Sequence, residues 1–324
     1  MYKSATKALI IQSYKLKLVI KNIWESILMS HICNQCPRQC GVNRENGLGF
    51  CGVPEQPKVA KAFLHMWEEP CISGTAGSGT VFFSGCNLKC IYCQNFDISQ
   101  KNYGKVISTE RLQQIFIELI DKGAHNINLV NPSHYTAAIK QALIQLKNSG
   151  KMNVPVVYNT NGYESVETLK SMEEFVDVYL PDLKYYYETT AFNYSKANNY
   201  PEVSKRAVLE MFRQVGSPKL DEEGLIKSGM IIRHLILPGH TKESIKILDW
   251  ISENLPKSVY ISLMSQYTPY YEADKHSEIN RPITRQEYER VVSHLYKLGL
   301  EEGYVQERQS ADSQYIPNFN LEGV

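Results

Sequence analysis

The chain has no apolar run near the roughly 18 residues a bilayer span requires, so a membrane-spanning helix is not expected. It also lacks a charge bias: 35 Lys plus Arg face 34 Asp plus Glu, leaving +1 across 324 residues. A whole-chain electrostatic footprint for nucleic acid is therefore missing. No secretory core is visible, because Lys15 and Lys17 interrupt the short apolar stretches of the first twenty residues. Cysteine is absent after Cys93, which does not fit the disulfide framework of a small secreted domain. The glycines Gly74, Gly77 and Gly79 lead into a strand and lack the Lys-Ser/Thr ending of a phosphate loop. These absences point to a cytoplasmic protein that uses neither nucleic acid nor membrane as a partner.

With 43% hydrophobic residues the chain is long enough for one large core. All eight cysteines lie between Cys33 and Cys93, and such crowding in a cytoplasmic chain indicates metal. Three regions are expected: an amphipathic helix over 1–30, a Cys-rich metal module over 31–74, and a larger unit over 75–324.

In that larger unit strand and helix patterns alternate. Strands are predicted at 79–85, 127–130, 154–158, 176–180, 230–237 and 259–264. A helix face formed by Leu112, Ile115, Phe116, Leu119 and Ile120 follows the first, with Ser108 or Thr109 as cap and Gly123 as stop. Further helices are predicted over 134–148, 165–174, up to 215, 241–254 and 284–298. Six strands, each followed by a helix, give an α/β fold with a parallel sheet and right-handed crossovers. Spacing alone admits either an open doubly wound sheet or an incomplete barrel. Chemistry in both belongs at the carboxyl ends of the strands.

Cys86, Cys90 and Cys93 form C-x3-C-x2-C directly after the first strand. Three thiolates without a fourth nearby leave one position open on a four-iron cluster, as a catalytic site requires, whereas structural sites close their coordination. The competing reading is a zinc loop completed by Cys71 or a histidine. The triplet, with Tyr92 before its last cysteine, resembles the signature of the radical S-adenosylmethionine (radical SAM) superfamily. The string from Cys86 to Asn95 is similar to the pyruvate formate-lyase activating enzyme group, and Cys33-x2-Cys36-Pro37-Arg38-x-Cys40 resembles one activator-like branch of it. The resemblance implies an incomplete (β/α)6 parallel barrel carrying a small N-terminal Cys-rich metal module. It also implies a 4Fe-4S cluster and S-adenosylmethionine, split reductively to a 5′-deoxyadenosyl radical that abstracts hydrogen. A glycine of a partner enzyme is the expected target, another peptide or a small molecule the alternative, and flavodoxin or ferredoxin the expected electron donor. In a different class stands a zinc-stabilised module that binds RNA or protein.

The same resemblance places cofactor contacts at strand ends: Tyr92 and Asn95 on the cysteine loop, Asn131 after the second strand, Thr160 and Asn161 after the third, Asp182 and Lys184 after the fourth, and Arg233 in the fifth. Lys184 is expected to pair with the methionine carboxylate and Asp182 with ribose hydroxyls. Asn131-Pro132-Ser133-His134 stands where the family has Gly-Gly-Glu, so His134 either starts a helix or takes a new role. Arg233 and His234 are adjacent and must point to opposite faces. Ser265, Gln266 and Tyr267 end the sixth strand near the expected substrate side, whereas Tyr185, Tyr186 and Tyr187 read as half-buried packing. Cys33, Cys36, Cys40 and Cys51 form a second site, for zinc as the first expectation or for a fully ligated cluster. Cys71, standing alone, reads as a small buried hydrophobe.

Overall fold

The computed structural model describes residues 32–307 and 317–324; the helix expected over 1–30 lies outside them. Among the described residues no helix is long and apolar enough to cross a membrane.

All six predicted strands are present: β2 (Ser78–Phe83), β4 (Ile127–Val130), β5 (Val156–Thr160), β6 (Val178–Pro181), β8 (Ile226–Leu235) and β9 (Tyr260–Met264). They pair in parallel in that order, for instance Val81 with Leu129, Leu129 with Tyr158, Tyr158 with Tyr179, and Arg233 with Ser262. β2, β5 and β6 are buried along their whole length, as expected of parallel strands covered on both faces. The fold is therefore α/β with a mostly parallel sheet.

Four strands escaped the sequence reading. β1 (Lys58–His65) runs antiparallel to β2, and β3 (Lys105–Val106) pairs with β1. β7 (Lys219–Leu220) lies against β8, and β10 (Gly303–Val305) extends the sheet beyond β9 in parallel. Since β1 is hydrogen-bonded to β2, a boundary at residue 74 runs between two paired strands of one sheet.

Helices cover the outside. α3 (Thr109–Asp121) begins at Ser108, whose Oγ accepts from Arg111 N, and buries Leu112, Ile115, Phe116 and Leu119. α4 (Thr136–Asn148) buries Ile139, Ala142, Leu143 and Leu146. α5 (Val166–Met172), α6 (Glu188–Ser195), α7 (Tyr200–Val215), α8 (Thr241–Asn254) and α9 (Arg285–Lys297) complete the layer. Two short helices, α1 (Pro70–Ser73) and α2 (Phe96–Ser99), lie on the inner connections.

The sheet does not close, since β10 and β3 end its path. Residues 66–69, which follow β1, nonetheless share one cavity with Ser262, Met264, Tyr304 and Gln306 from the β9–β10 side. This is an open barrel whose gap is bridged by a loop. α1 fills the bottom, where Asn126 Nδ2 donates to Ile72 O at 2.8 Å. The chain end lies along β1, with Ala62 N donating to Glu322 O at 2.8 Å.

Gly162, in the turn after β5, has φ +77°, and a Cβ there would sit 2.3 Å from Asp182 O. Gly150 has φ +68° with open space around it. Gly150→Ala should cost about 1–2 kcal/mol for the left-handed backbone. Gly162→Ala should cost at least about 1 kcal/mol more, because backbone must move. Urea unfolding of the two variants checks this difference, and equal losses would contradict the packing of β5 against β6.

Candidate active site

β2 delivers the chain to the cysteine loop through Ser84 and Gly85. Gly85 has φ +84°, and a Cβ would meet Val53 at 2.8 Å and Cys51 O at 2.9 Å, so only glycine lets the N-terminal module approach here. Beyond it each thiol has a polar neighbour. Cys86 Sγ accepts from Leu88 N at 3.3 Å and Asn161 Nδ2 at 3.4 Å. Asn131, in left-handed backbone with φ +59°, donates Nδ2 to Gly85 O at 2.6 Å and holds its own Oδ1 3.8 Å from Cys86 Sγ. Ser195 Oγ donates to Cys90 Sγ at 2.9 Å and lies 2.6 Å from Tyr185 OH, which in turn lies 2.6 Å from Tyr92 OH. Cys93 Sγ lies 3.2 Å from Ser99 Oγ.

Burial pushes the Cys90 thiol up to about 12, with Lys184 pulling it down and Cys93 and Cys86 adding to the rise. Cys93 is raised by burial as well. Thiols this reluctant to ionise in isolation fit a site where iron supplies the compensating charge. Among the described residues no three Cys, His, Asp or Glu side chains close around a single metal ion; a cube of irons and sulfides spreads its thiolates more widely. The donor set, soft sulfur with hydrogen bonds aimed at it, suits an iron–sulfur cluster.

A charged network lies at the ends of β6 and β8. Arg233 donates Nε to Asp182 Oδ1 at 2.9 Å, Nη2 to Asn159 Oδ1 at 2.6 Å and Nη1 to Glu68 Oε2 at 3.4 Å. Lys184 Nζ donates to Asp182 Oδ2 at 2.7 Å. Asn128 and Asn159 donate their Nδ2 groups to Glu68 Oε1 at 3.0 and 3.3 Å. Burial opposes the charge on Asp182, yet Arg233 and then Lys184 hold its carboxyl below the ordinary range. Burial likewise works against the Lys184 ammonium, but Asp182 and Cys90 raise it. His234 points to the other face, its Nδ1 2.7 Å from Leu183 O and its Nε2 2.9 Å from Ser244 Oγ.

A cavity of about 560 Å³ borders this network, lined by Gln94 and Asn95 beside Cys93, by Asn159 and Arg233, and by Glu68, Glu69 and Gln266, while Asp182, Lys184, Asn131 and Asn161 stand outside its lining. Tyr92 is buried under the loop against Tyr267 rather than lining the cavity. The Thr160 hydroxyl is committed to Glu164. His134 is buried, its Nε2 2.8 Å from Ser84 O, and burial lowers it to about 3, so the ring is neutral. Cys71 is buried as expected. The sequence reading passed over Glu68, Glu69, Glu164 and Ser195. None belongs to a spacing motif, and Glu68 and Glu69 stand between the exposed Trp67 and Pro70, which gives no sign of burial.

The N-terminal module sits on the carboxyl-end loops. Arg44, buried, donates Nε to Val53 O and Nη1 to His134 O. Arg38 stacks 3.8 Å over Phe50 and donates Nε to Asn87 O at 2.8 Å, next to Cys86. Cys40 and Cys51 flank Gly49, and burial pushes Cys36 up to about 12.

A Radical SAM superfamily model matches residues 80–251, more than half of the chain. The chain belongs to the radical SAM superfamily. Superfamily membership implies S-adenosylmethionine and a 4Fe-4S cluster. The chain is 35% identical over 292 residues to protein MJ0674 of Methanocaldococcus jannaschii, covering 87% of this chain and 78% of that one. Among solved structures, SuiB of Streptococcus suis bound to S-adenosylmethionine shares 14% identity over 68% of this chain and 48% of its own, with a TM-score of 0.47. A domain of pyruvate-formate lyase-activating enzyme from Bacteroides vulgatus shares 14% over 53% of this chain and 93% of its own, with a TM-score of 0.38. The chain thus spans about half the length of SuiB.

Glu164 supports the Asn161 turn of this radical SAM core from below, accepting from Ser133, Thr160 and Tyr158. Burial raises its carboxyl from 4.5 to about 7. The folded chain therefore keeps a proton there that the unfolded chain loses. That contribution to stability is complete below the ordinary Glu range and is lost as pH rises toward about 7. Glu164→Gln should gain on the wild type by about 3 kcal/mol between about pH 4.5 and 8. Urea midpoints across pH measure this; a pH-independent difference would contradict the buried, protonated carboxyl.

Proposed function

We propose that Cys86, Cys90 and Cys93 hold a 4Fe-4S cluster with one iron left for S-adenosylmethionine, and that the chain generates a 5′-deoxyadenosyl radical for hydrogen abstraction. When bound, the cluster supplies the electron that splits the sulfonium of the cofactor. The observation that carries the reading is the pairing of the three-thiol loop with Lys184, whose charge reaches Cys90 while one of its protons is held by Asp182.

Lys184 has three donor protons and spends one on Asp182. The others are free to meet the methionine carboxylate. Arg233, bonded to Asp182, Asn159 and Glu68, acts as a strut that fixes Asp182 and through it Lys184. Asn131 and Asn161 frame Cys86, and Asn95 borders the cavity. Tyr92, Tyr163, Tyr185, Tyr200 and Tyr267 form an aromatic wall around the loop and keep water from a radical site.

At the finer level we assign the chain to the activating-enzyme-like branch, with a glycine of a partner enzyme as hydrogen donor and a flavodoxin or ferredoxin as reductant. Cys33, Cys36, Cys40 and Cys51 are assigned to zinc, on which their thiols, not gathered around one point in this structure, would have to close, fixing the module that Arg38 and Arg44 dock on the barrel. Its support is the ligand pattern alone.

Anaerobically reconstituted protein should release 5′-deoxyadenosine in the presence of a reductant, and Cys90→Ala should release none. Equal release by both would remove the role of the triplet. Lys184→Met should weaken S-adenosylmethionine binding at least about tenfold, as expected for loss of a charged hydrogen bond. Metal analysis should give about four irons and one zinc, whereas about eight irons would replace the zinc by a second cluster. A glycyl electron-paramagnetic signal on a partner supports the branch; cofactor cleavage without one contradicts it.

A further inference from the structure

One carboxylate in the cavity has a use that neither the cluster nor the charged network takes up. Glu69 follows Glu68 on the loop that bridges the open side of the barrel, lines the cavity and is 9% exposed. Ser262 supplies a side-chain hydrogen bond to it. Its Oε2 has no hydrogen-bond partner among the described residues. A buried carboxyl oxygen left without a partner is destabilising, the more so if charged.

The surrounding cations leave Oε2 without a hydrogen bond. Arg233 lies within electrostatic reach of Glu69 but directs its bonds to Asp182, Asn159 and Glu68, and Lys184 is turned to Asp182. His65, also on the cavity wall, is lowered to about 4 by burial and so stays neutral. Among the described residues Glu68, Glu69 and Asp182 share Arg233 and Lys184, three carboxyls against two cations, and burial raises both Glu68 and Glu69 above the ordinary carboxyl range. A positively charged donor in the cavity would bond Oε2 and favour the ionised form of Glu69.

We infer that Glu69 receives a cationic nitrogen of the substrate, an alkylammonium or guanidinium group, while the rest of the substrate extends along the cavity toward Gln94 and Asn95 beside the cluster loop. This rests on the radical SAM reading above and adds the substrate class to it. The cation anchors one end of the substrate at the barrel floor, and the hydrogen to be abstracted lies toward the cluster end. A lysine or arginine side chain of a peptide and a free aliphatic amine share this chemistry.

The test titrates reconstituted, S-adenosylmethionine-loaded protein with n-pentylammonium and with 1-pentanol, a neutral donor of the same chain length, by calorimetry. The wild type should bind the ammonium at least about tenfold more tightly, the scale of a charged hydrogen bond. Glu69→Gln should erase that preference and Glu69→Asp should restore part of it. Equal binding of the two probes by the wild type overturns the assignment and needs no variant that folds. A preference retained by Glu69→Gln overturns it too. So does a loss of S-adenosylmethionine affinity in that variant, which would give Glu69 to the cofactor. Reductant-dependent 5′-deoxyadenosine release by the wild type without probe is scored separately, so failure of the radical reading is told apart from failure of this one.

Discussion

The clasp between Arg233 on β8 and Asp182 at the end of β6 is the interaction on which the site depends. Four charged side chains, Glu68, Asp182, Lys184 and Arg233, are each less than one fifth exposed. Burying them is tolerable only because all four are paired with one another, and Glu68 and Arg233 are further bonded to Asn128 or Asn159. Removing one member leaves an uncompensated charge in the barrel. The clasp also fixes geometry: Asp182 orients Lys184, and Lys184 lies within electrostatic reach of Cys90. A bridge between neighbouring strands thereby sets where a cation stands relative to the thiol loop.

The parallel core was readable because its elements obey strong local rules. β2, β5 and β6 each contain a three-residue apolar stretch, and α3 pairs a Ser108 cap with a clear apolar stripe. β1 was hidden by its position, since it precedes the first strand-helix unit and lies next to the cysteine module, and its pairing with β2 is antiparallel. β10, three residues long, carries no pattern to detect. At the site, the cysteine spacing and the strand-end rule located Cys86, Asn131, Asn161, Asp182 and Lys184 near one another. Glu68 and Glu69 were not legible because their role arises from the curl of the sheet, which brings the loop after β1 across to Ser262 and Arg233. No local pattern encodes that closure. Glu164 is similar: three hydroxyls from separate positions make it a hub only after folding.

The N-terminal module joins the core through two arginines used differently. Arg44 is a buried pin that donates to backbone carbonyls of its own segment and of His134. Arg38 sits between the two cysteine sets, stacked on Phe50 and bonded to Asn87 O. Gly85 and Val53 are packed so closely that a single methyl would collide. Any shift of the module is therefore transmitted to the loop that bears Cys86. His134 belongs to this joint and does not line the cavity. Its ring holds Ser84 O at the end of β2.

The central claim is that the protein leaves one iron of the cluster without a side-chain ligand. Electron paramagnetic resonance of the reduced, reconstituted protein, recorded before and after adding S-adenosylmethionine, tests it most directly. A change in the g-values on addition is predicted, because S-adenosylmethionine would bind at the position that Cys86, Cys90 and Cys93 leave open. An unchanged spectrum, with S-adenosylmethionine shown to be bound, would mean the fourth position is already filled and would contradict the account.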